Sequence, residues 1–219
     1  EPGDRLRHLA TPTHDGWGRM TIWFLSHAET DLLALRSVVE DLPDGLGPVR
    51  IANPAARPEP PDVAPGDAVV VRLLGGRMSW DGFDALRDRC RTAGAPLVAL
   101  SGEVEPDGEL AAASTVPAGI VAEAHAYLTA GGPANVAQLL RFVADTTLLG
   151  GFGFEPPRPL PATVVWDGAG LGAPGAARRA DRPLVGIVFY RAHLVAGNTT
   201  FVADLCGAID AAGGDALAV

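Results

Sequence analysis

The sequence of 219 residues contains no lysine: all 17 basic residues are arginine, set against 26 Asp and Glu, for a formal net charge of −9. Surfaces that hold nucleic acid or anionic membrane need excess positive charge, so neither is expected as a partner; a small ligand or another protein is. Cysteine is nearly absent as well. Cys90 and Cys206 are far apart, each inside a helical pattern (ALRDRCRTAG and FVADLCGAID), which points to packing in a core or on a helix flank instead of a disulfide framework or a redox pair. The five histidines and two cysteines show no His-x-x-x-His or Cys-x-x-Cys spacing, so no structural metal is expected. A Walker loop and a complete dinucleotide-binding glycine fingerprint are also missing. No apolar run approaches the roughly 18 residues of a membrane-spanning helix, and no basic stretch leads into an apolar segment with a small-residue cleavage site. Residence in the cytoplasm is the expectation that follows.

An apolar fraction of 47% with 20% charged residues describes a folded chain, long enough to bury a substantial core. Residues 1–19 are polar, rich in Pro and Gly, and read as a disordered lead; His8 and His14 lie there and carry no expected role, and Met20 is a candidate natural start. A strand–helix rhythm follows. Its apolar runs are short, continuous and rich in Val, Ile and Leu, as in strands covered on both faces. Strands are predicted at 22–25, 49–51, 68–74 and 96–100. Helices are predicted from Glu29, with Thr30 and Asp31 as capping residues, and at 80–93, 118–130 and 133–149. The last two have no strand between them and are separated by Gly131 and Gly132, with Pro133 in a favoured first-turn position. The predicted fold class is therefore α/β: a flavodoxin-like, doubly wound parallel sheet over 20–149, with ligands at the carboxyl ends of its strands. Residues 150–183 hold much of the remaining Pro and Gly and read as a linker, with a short strand at 163–166. Residues 184–219 read as the start of a second α/β unit, a strand at 184–189, a helix at 199–212 and an apolar run at 216–219, and are expected to be half of a larger βαβ arrangement.

Four strand ends carry polar groups: Ser26 to Asp31; Arg72 with Gly75, Gly76 and Arg77; Ser101, Gly102 and Glu103; and Arg191, His193, Gly197 and Asn198. Convergence of such turns on one sheet edge would make a cleft. Gly75 and Gly76 read either as a tight turn or as part of a phosphate cradle. Arg72, a guanidinium inside a strand of Val and Leu, requires an acceptor; Asp81, Asp84 and Glu103 are the candidates for an ion pair, and a ligand carboxylate is the alternative. Ser101 lacks the preceding glycine of a nucleophile elbow. His27 and His193 follow strands, where a ligand could be met, whereas His125 sits in a helical pattern and reads as a core or capping residue. Arg191 and His193 at i, i+2 in extended chain would share a face, and the Gly197-Asn198 turn would offer amides to a carboxylate or an interdomain polar network. No residue is assigned a catalytic step.

The runs FLSHAETDLLALR, VVVRLLGGRMSW, LVALSGEVEPDGELAAASTV, GGPANVAQLLRFVADTTLLGGFGFEPP and VGIVFYRAHLVAGNTTFVADLCGAIDAAGG resemble, in order, the amino-terminal region of large subunits of the CobN/magnesium chelatase H family, and the cobaltochelatase type most closely. The resemblance implies a piece of a much larger subunit that takes part in ATP-dependent insertion of cobalt into hydrogenobyrinic acid a,c-diamide, a step of aerobic cobalamin biosynthesis. Cobalt is then a substrate, and ATP is hydrolysed by partner subunits of AAA+ type. On that reading this segment alone is inactive, and Arg72, Gly75, Gly76, Ser101, Glu103, Arg191, His193, Gly197 and Asn198 are its substrate-binding candidates. Two alternatives stand beside it: a magnesium chelatase H-type subunit, and a non-catalytic flavodoxin-like binding or interaction module.

Overall fold

The computed structural model describes residues 20–160, 164–166, 171–172 and 181–219; the predicted lead and the beginning of the predicted strand at 163–166 lie outside the described residues. Four strands, β1 (Ile22–Ser26), β2 (Val49–Ala52), β3 (Ala68–Leu73) and β4 (Leu97–Ser101), form a wholly parallel sheet in the order β2-β1-β3-β4. This is the doubly wound, flavodoxin-like α/β order, with its reversal of winding between β1 and β3. All six residues of β3 are buried, and alternation along the strand sends Val70 to one face and Val69 and Val71 to the other.

The first face is covered by α1 (Glu29–Val38), α4 (Ala118–Ala130) and α5 (Pro133–Leu148), whose Leu35, Tyr127 and Leu139 pack with Phe24, Val70 and Val98. The second is covered by α2 (Phe83–Ala93) and α3 (Gly108–Ala113), with Phe83, Leu86, Cys90 and Leu110 against Val69, Val71 and Leu97. Helix α2 begins after a short 3₁₀ turn at Arg77–Ser79 and so starts later than its predicted position. It closes on Gly94, which takes the left-handed conformation (φ 67°) that spares it a Cβ clash. Helix α3 escaped sequence reading because it has only six residues; Asp107 starts it by accepting from the amides of Glu109 (2.8 Å) and Leu110 (3.0 Å). The Pro-rich connection from β2 to β3 contains no helix and is held on the α2 face, where the Trp80 indole donates to the Pro58 carbonyl at 3.1 Å.

Residues 150–160, the first part of the stretch predicted as a linker, run over α4 and α5 as a fastened strap. Asp145 accepts from the amides of Phe152 and Gly153, Gln138 from that of Glu155, and Asn135 both accepts from the Arg158 amide and donates to its carbonyl at 2.8 Å. The Tyr127 hydroxyl donates to the Glu155 carbonyl. Glycine and proline removed the apolar pattern that would have revealed these bonds, which run from side chains of α4 and α5 to strap backbone.

A second sheet holds β5 (Val165–Trp166), β6 (Leu171–Gly172), β7 (Leu184–Ile187) and β8 (Asp215–Ala218) in the order β6-β5-β8-β7. Strands β7 and β8 are parallel and joined through α6 (Arg191–Val195) and α7 (Thr200–Ala211), so the expected half-unit contains both of its parallel strands; β5 adds an antiparallel neighbour to β8. No helix among the described residues is long and apolar enough to cross a membrane.

Candidate functional site

The carboxyl edge of the first sheet is where an open α/β fold receives ligands, and three of the four predicted turns meet there. The place between β1 and β3 is occupied by the protein itself. Arg72 lies opposite Ser26 in the β1–β3 register and donates through one terminal nitrogen to both carboxylate oxygens of Asp31 at 2.9 and 3.0 Å. Its Nε reaches the Ser101 carbonyl and its other terminal nitrogen the Gly102 carbonyl, each at 3.1 Å. The Ser26 hydroxyl donates to Asp31 at 2.8 Å and accepts from the Ala28 amide. Side-chain exposure is 10% for Arg72 and 5% for Asp31. A buried ion pair survives desolvation only when its remaining donors and acceptors are satisfied, and this one is.

Two sequence expectations are corrected here. The partner of Arg72 is Asp31, in place of Asp81, Asp84 or Glu103. Asp31 in turn does not cap α1, whose N-cap is Ala28, with no side-chain cap bond. Asp84 pairs instead with Arg77 at 2.7 Å, and that guanidinium holds its carboxyl below the usual carboxylate range, first through the hydrogen bond.

Beyond the ion pair, Gly75 and Gly76 form a left-handed turn (φ 83° and 75°) closed by the Ser79 hydroxyl donating to the Gly76 carbonyl at 2.6 Å. A Cβ on Gly76 would come within 3.0 Å of an Asp107 carboxylate oxygen. The turn thus borders an open depression of about 620 Å³ lined by Ser101, Glu103, Glu105, Asp107 and Glu109. Four carboxylates oppose an anion at that place electrostatically. Ser101 is buried and its hydroxyl accepts from the Glu103 amide; the nearby His125 pairs its Nε2 with the Glu103 carbonyl at 3.1 Å and stands 3.4 Å from the Thr129 hydroxyl through Nδ1. Nε2 of His27 is buried without a hydrogen-bond partner among the described residues. No group of three or more His, Cys, Asp or Glu among the described residues is placed to hold a metal ion.

The fourth turn lies elsewhere. Strand β7 ends at Ile187, and Arg191 and His193 fall in α6, where the His193 amide donates to the Tyr190 carbonyl at 2.9 Å. The extended i, i+2 geometry expected for them is therefore replaced by a helical turn, in which such positions do not share a face. The His193 ring meets Phe201 edge-on, centroids 4.8 Å apart. Arg191 reaches the Leu160 carbonyl at 3.5 Å. Gly197 packs against Ser37, in the last turn of α1, and against Pro133, at the start of α5. Helix α1 starts at the carboxyl edge and runs back across the sheet, so these residues sit away from the Arg72 cluster, at the junction of the two units. Of the residues that organise the two regions, Asn135 escaped the sequence reading, Asp31 was read as a cap, and Gly131 only as a break between two helices. A buried aspartate two residues into a helix looks like a cap, and an asparagine bonded to a distant backbone leaves no periodic trace.

Comparison with known proteins places this architecture. The family model described as CobN/Magnesium Chelatase matches residues 125–219, from within α4 to the last residue of the sequence. The aerobic cobaltochelatase subunit CobN of Pseudomonas aeruginosa is 30% identical over 229 residues, an alignment that takes in 97% of this chain and 18% of that protein. The corresponding subunit from Sinorhizobium sp. is 32% identical across 90% of this chain and 17% of its own length. Among solved structures, the catalytic subunit of cobaltochelatase from Mycobacterium tuberculosis superposes with a TM-score of 0.70 at 37% identity, over 90% of this chain and 16% of that one. The chain thus spans less than a fifth of the relatives it matches, and it belongs to the CobN/magnesium chelatase family.

Proposed function

We propose that this chain is the amino-terminal part of a cobaltochelatase large subunit, and that the whole protein inserts cobalt into hydrogenobyrinic acid a,c-diamide in the cytoplasm, with ATP hydrolysed by AAA+ partner subunits. The observation that carries this reading is the match to cobaltochelatase subunits along almost all of the chain, at 30% to 37% identity and with the same fold. Metal entry into a macrocycle requires the ion to shed water, two pyrrolic protons to be accepted and the ring to deform, and a large closing cavity serves those ends. In this division of labour the segment acts as a scaffold and docking unit, and it does not insert metal on its own. The self-satisfied Arg72–Asp31 network supports that assignment, because the place where this fold receives ligands is filled by the protein's own groups.

The test is an absorbance assay of the full-length subunit with the corrin precursor, cobalt, ATP and the small subunits, run beside a version without residues 20–160. Cobalt insertion that depends on those residues supports the proposal. Insertion at an unchanged rate without them removes the role given to this segment. A preference for magnesium and a porphyrin would shift the reading to the magnesium branch that the family's name also covers. Saturation of the isolated chain by stoichiometric corrin would show a binding module with a site of its own.

A further inference from the structure

The contact between the head (residues 20–160) and the second unit is built on two glycines that admit each other's neighbours. Gly131 follows α4 with φ 71° and is buried; a Cβ there would stand 2.8 Å from Cγ1 of Val195 in α6. Gly197 follows α6 with φ 68°, and a Cβ there would stand 2.9 Å from Cγ of Pro133 and 3.2 Å from the Ser37 hydroxyl. Val195 of the second unit thus sits in the notch at Gly131 of the head, and Pro133 of the head sits in the notch at Gly197 of the second unit. Gly132, next to Gly131, is covered by Leu160 of the strap, with a Cβ position 3.2 Å from Cδ1. The strap stays with the head through several directed hydrogen bonds, whereas α6 is held mainly by shape, with Arg191 to the Leu160 carbonyl at 3.5 Å as its polar contact.

We propose that the Val195/Gly131 and Pro133/Gly197 contacts form a two-point interlock that engages or releases as a unit, so that the head takes discrete orientations on the second unit instead of swinging freely. Close-packed contacts of this kind switch between arrangements and do not deform continuously. Both points must open together, because α6 and its following turn are one short rigid piece and the Gly131–Pro133 corner is another. Small interdomain contacts with little polar bonding are separable on the scale of ordinary domain motion. The device stands whatever metal the assembled protein handles.

The test places spin labels at Asp44→Cys in the head and Asp204→Cys in α7 of the full 219-residue chain, with Cys206→Ser removing the half-buried native thiol, and measures the distance distribution by pulsed electron resonance. The parent should give one narrow dominant distance. Val195→Ala, which empties one notch without backbone strain, should raise the population of a second, discrete distance by about tenfold. Gly197→Val, which fills the other notch, should make that second distance dominant. Gly207→Ala, at a helix position with open space around it, should leave the parent distribution unchanged and serves as the control for folding and labelling. A broad continuous distribution in the parent would overturn the interlock in favour of a swinging head. A single unchanged distance in both notch variants would overturn it too, since other contacts would then be holding the units.

Discussion

Removing the Arg72 guanidinium would leave the Asp31 carboxylate buried with only Ser26 to answer it, and would release two carbonyls at the end of β4, those of Ser101 and Gly102. Arg72→Met should therefore destabilise the chain by about 3–5 kcal/mol, read from the urea midpoint, and the double change Arg72→Met with Asp31→Leu should recover most of that loss because no orphaned charge remains. That Arg72 needs an acceptor is legible in the sequence. The identity of the acceptor is not, because Asp31 lies 41 residues away and stands where a helix cap is expected. Tyr127 shows a second kind of residue effect: burial, with the charges of Glu123 and Glu155 added, pushes its hydroxyl up to about 12 from an ordinary 10.0. The unfolded chain releases that proton at the lower pH, so this contribution to stability is complete below about 10 and is lost as pH rises through about 12. Tyr127→Phe should flatten the fall in stability across that window in alkaline unfolding. Burial also pushes the Cys90 thiol up to about 11, with the Asp67 charge adding to it. Alkylation near neutral pH, followed by mass spectrometry, should accordingly mark Cys206 first and Cys90 only once the chain unfolds.

Among the elements, the short helices α3 and α6 and the bonds that fasten the strap were the least legible. Long strands and helices announce themselves through periodicity, which is why β1 to β4, α4 and α5 were legible to within a few residues. The strap carries no such signal because its order comes from Asn135, Gln138, Asp145 and Tyr127 acting on backbone. Asn135→Ala removes three hydrogen bonds at once, to the Gly131 and Arg158 carbonyls and from the Arg158 amide. The expected cost is about 2–4 kcal/mol, with faster proteolysis in 154–160 as the local readout. Helix α5 ends on Leu149 in the left-handed conformation (φ 57°), a leucine 83% exposed. Leu149→Gly should raise the melting temperature by the equivalent of roughly 1 kcal/mol, because glycine takes that conformation without the Cβ clash and no packing is lost. Helix α6 was read as extended because five residues are too few to show a helical period, and the candidate pair Arg191 and His193 changed geometry with it.

For the whole molecule, the parallel sheet and its flanking helices were legible from the alternation of apolar runs with helical patterns, as was the family from the five motifs. The division of the candidate residues between two places was not, because it depends on α1 carrying Ser37 away from the edge where Ser26 and Asp31 lie. The fastened strap also moves the boundary of the head: a chain ending at Leu160 should unfold in one cooperative step, and one ending at Leu149 should unfold at lower urea with a less sharp transition, having lost the covering of Gly132 and the bonds from Tyr127, Asn135 and Asp145.

The strand order also dictates a schedule for synthesis. Of the four strands of the first sheet, β1 leaves the ribosome first and yet sits inside, between β2 and β3. Its parallel neighbours begin at Val49 and Ala68, and the cover over its face depends on Tyr127 and Leu139 of α4 and α5. The nascent chain must therefore carry Ile22 and Phe24 without their full cover through most of the translation of the head, a long-range closure of the kind that folds slowly and invites aggregation. Folding of the head then completes late, when the strap has emerged and fastened, and a holding chaperone or a pause in translation before that point would act on this strand above all others.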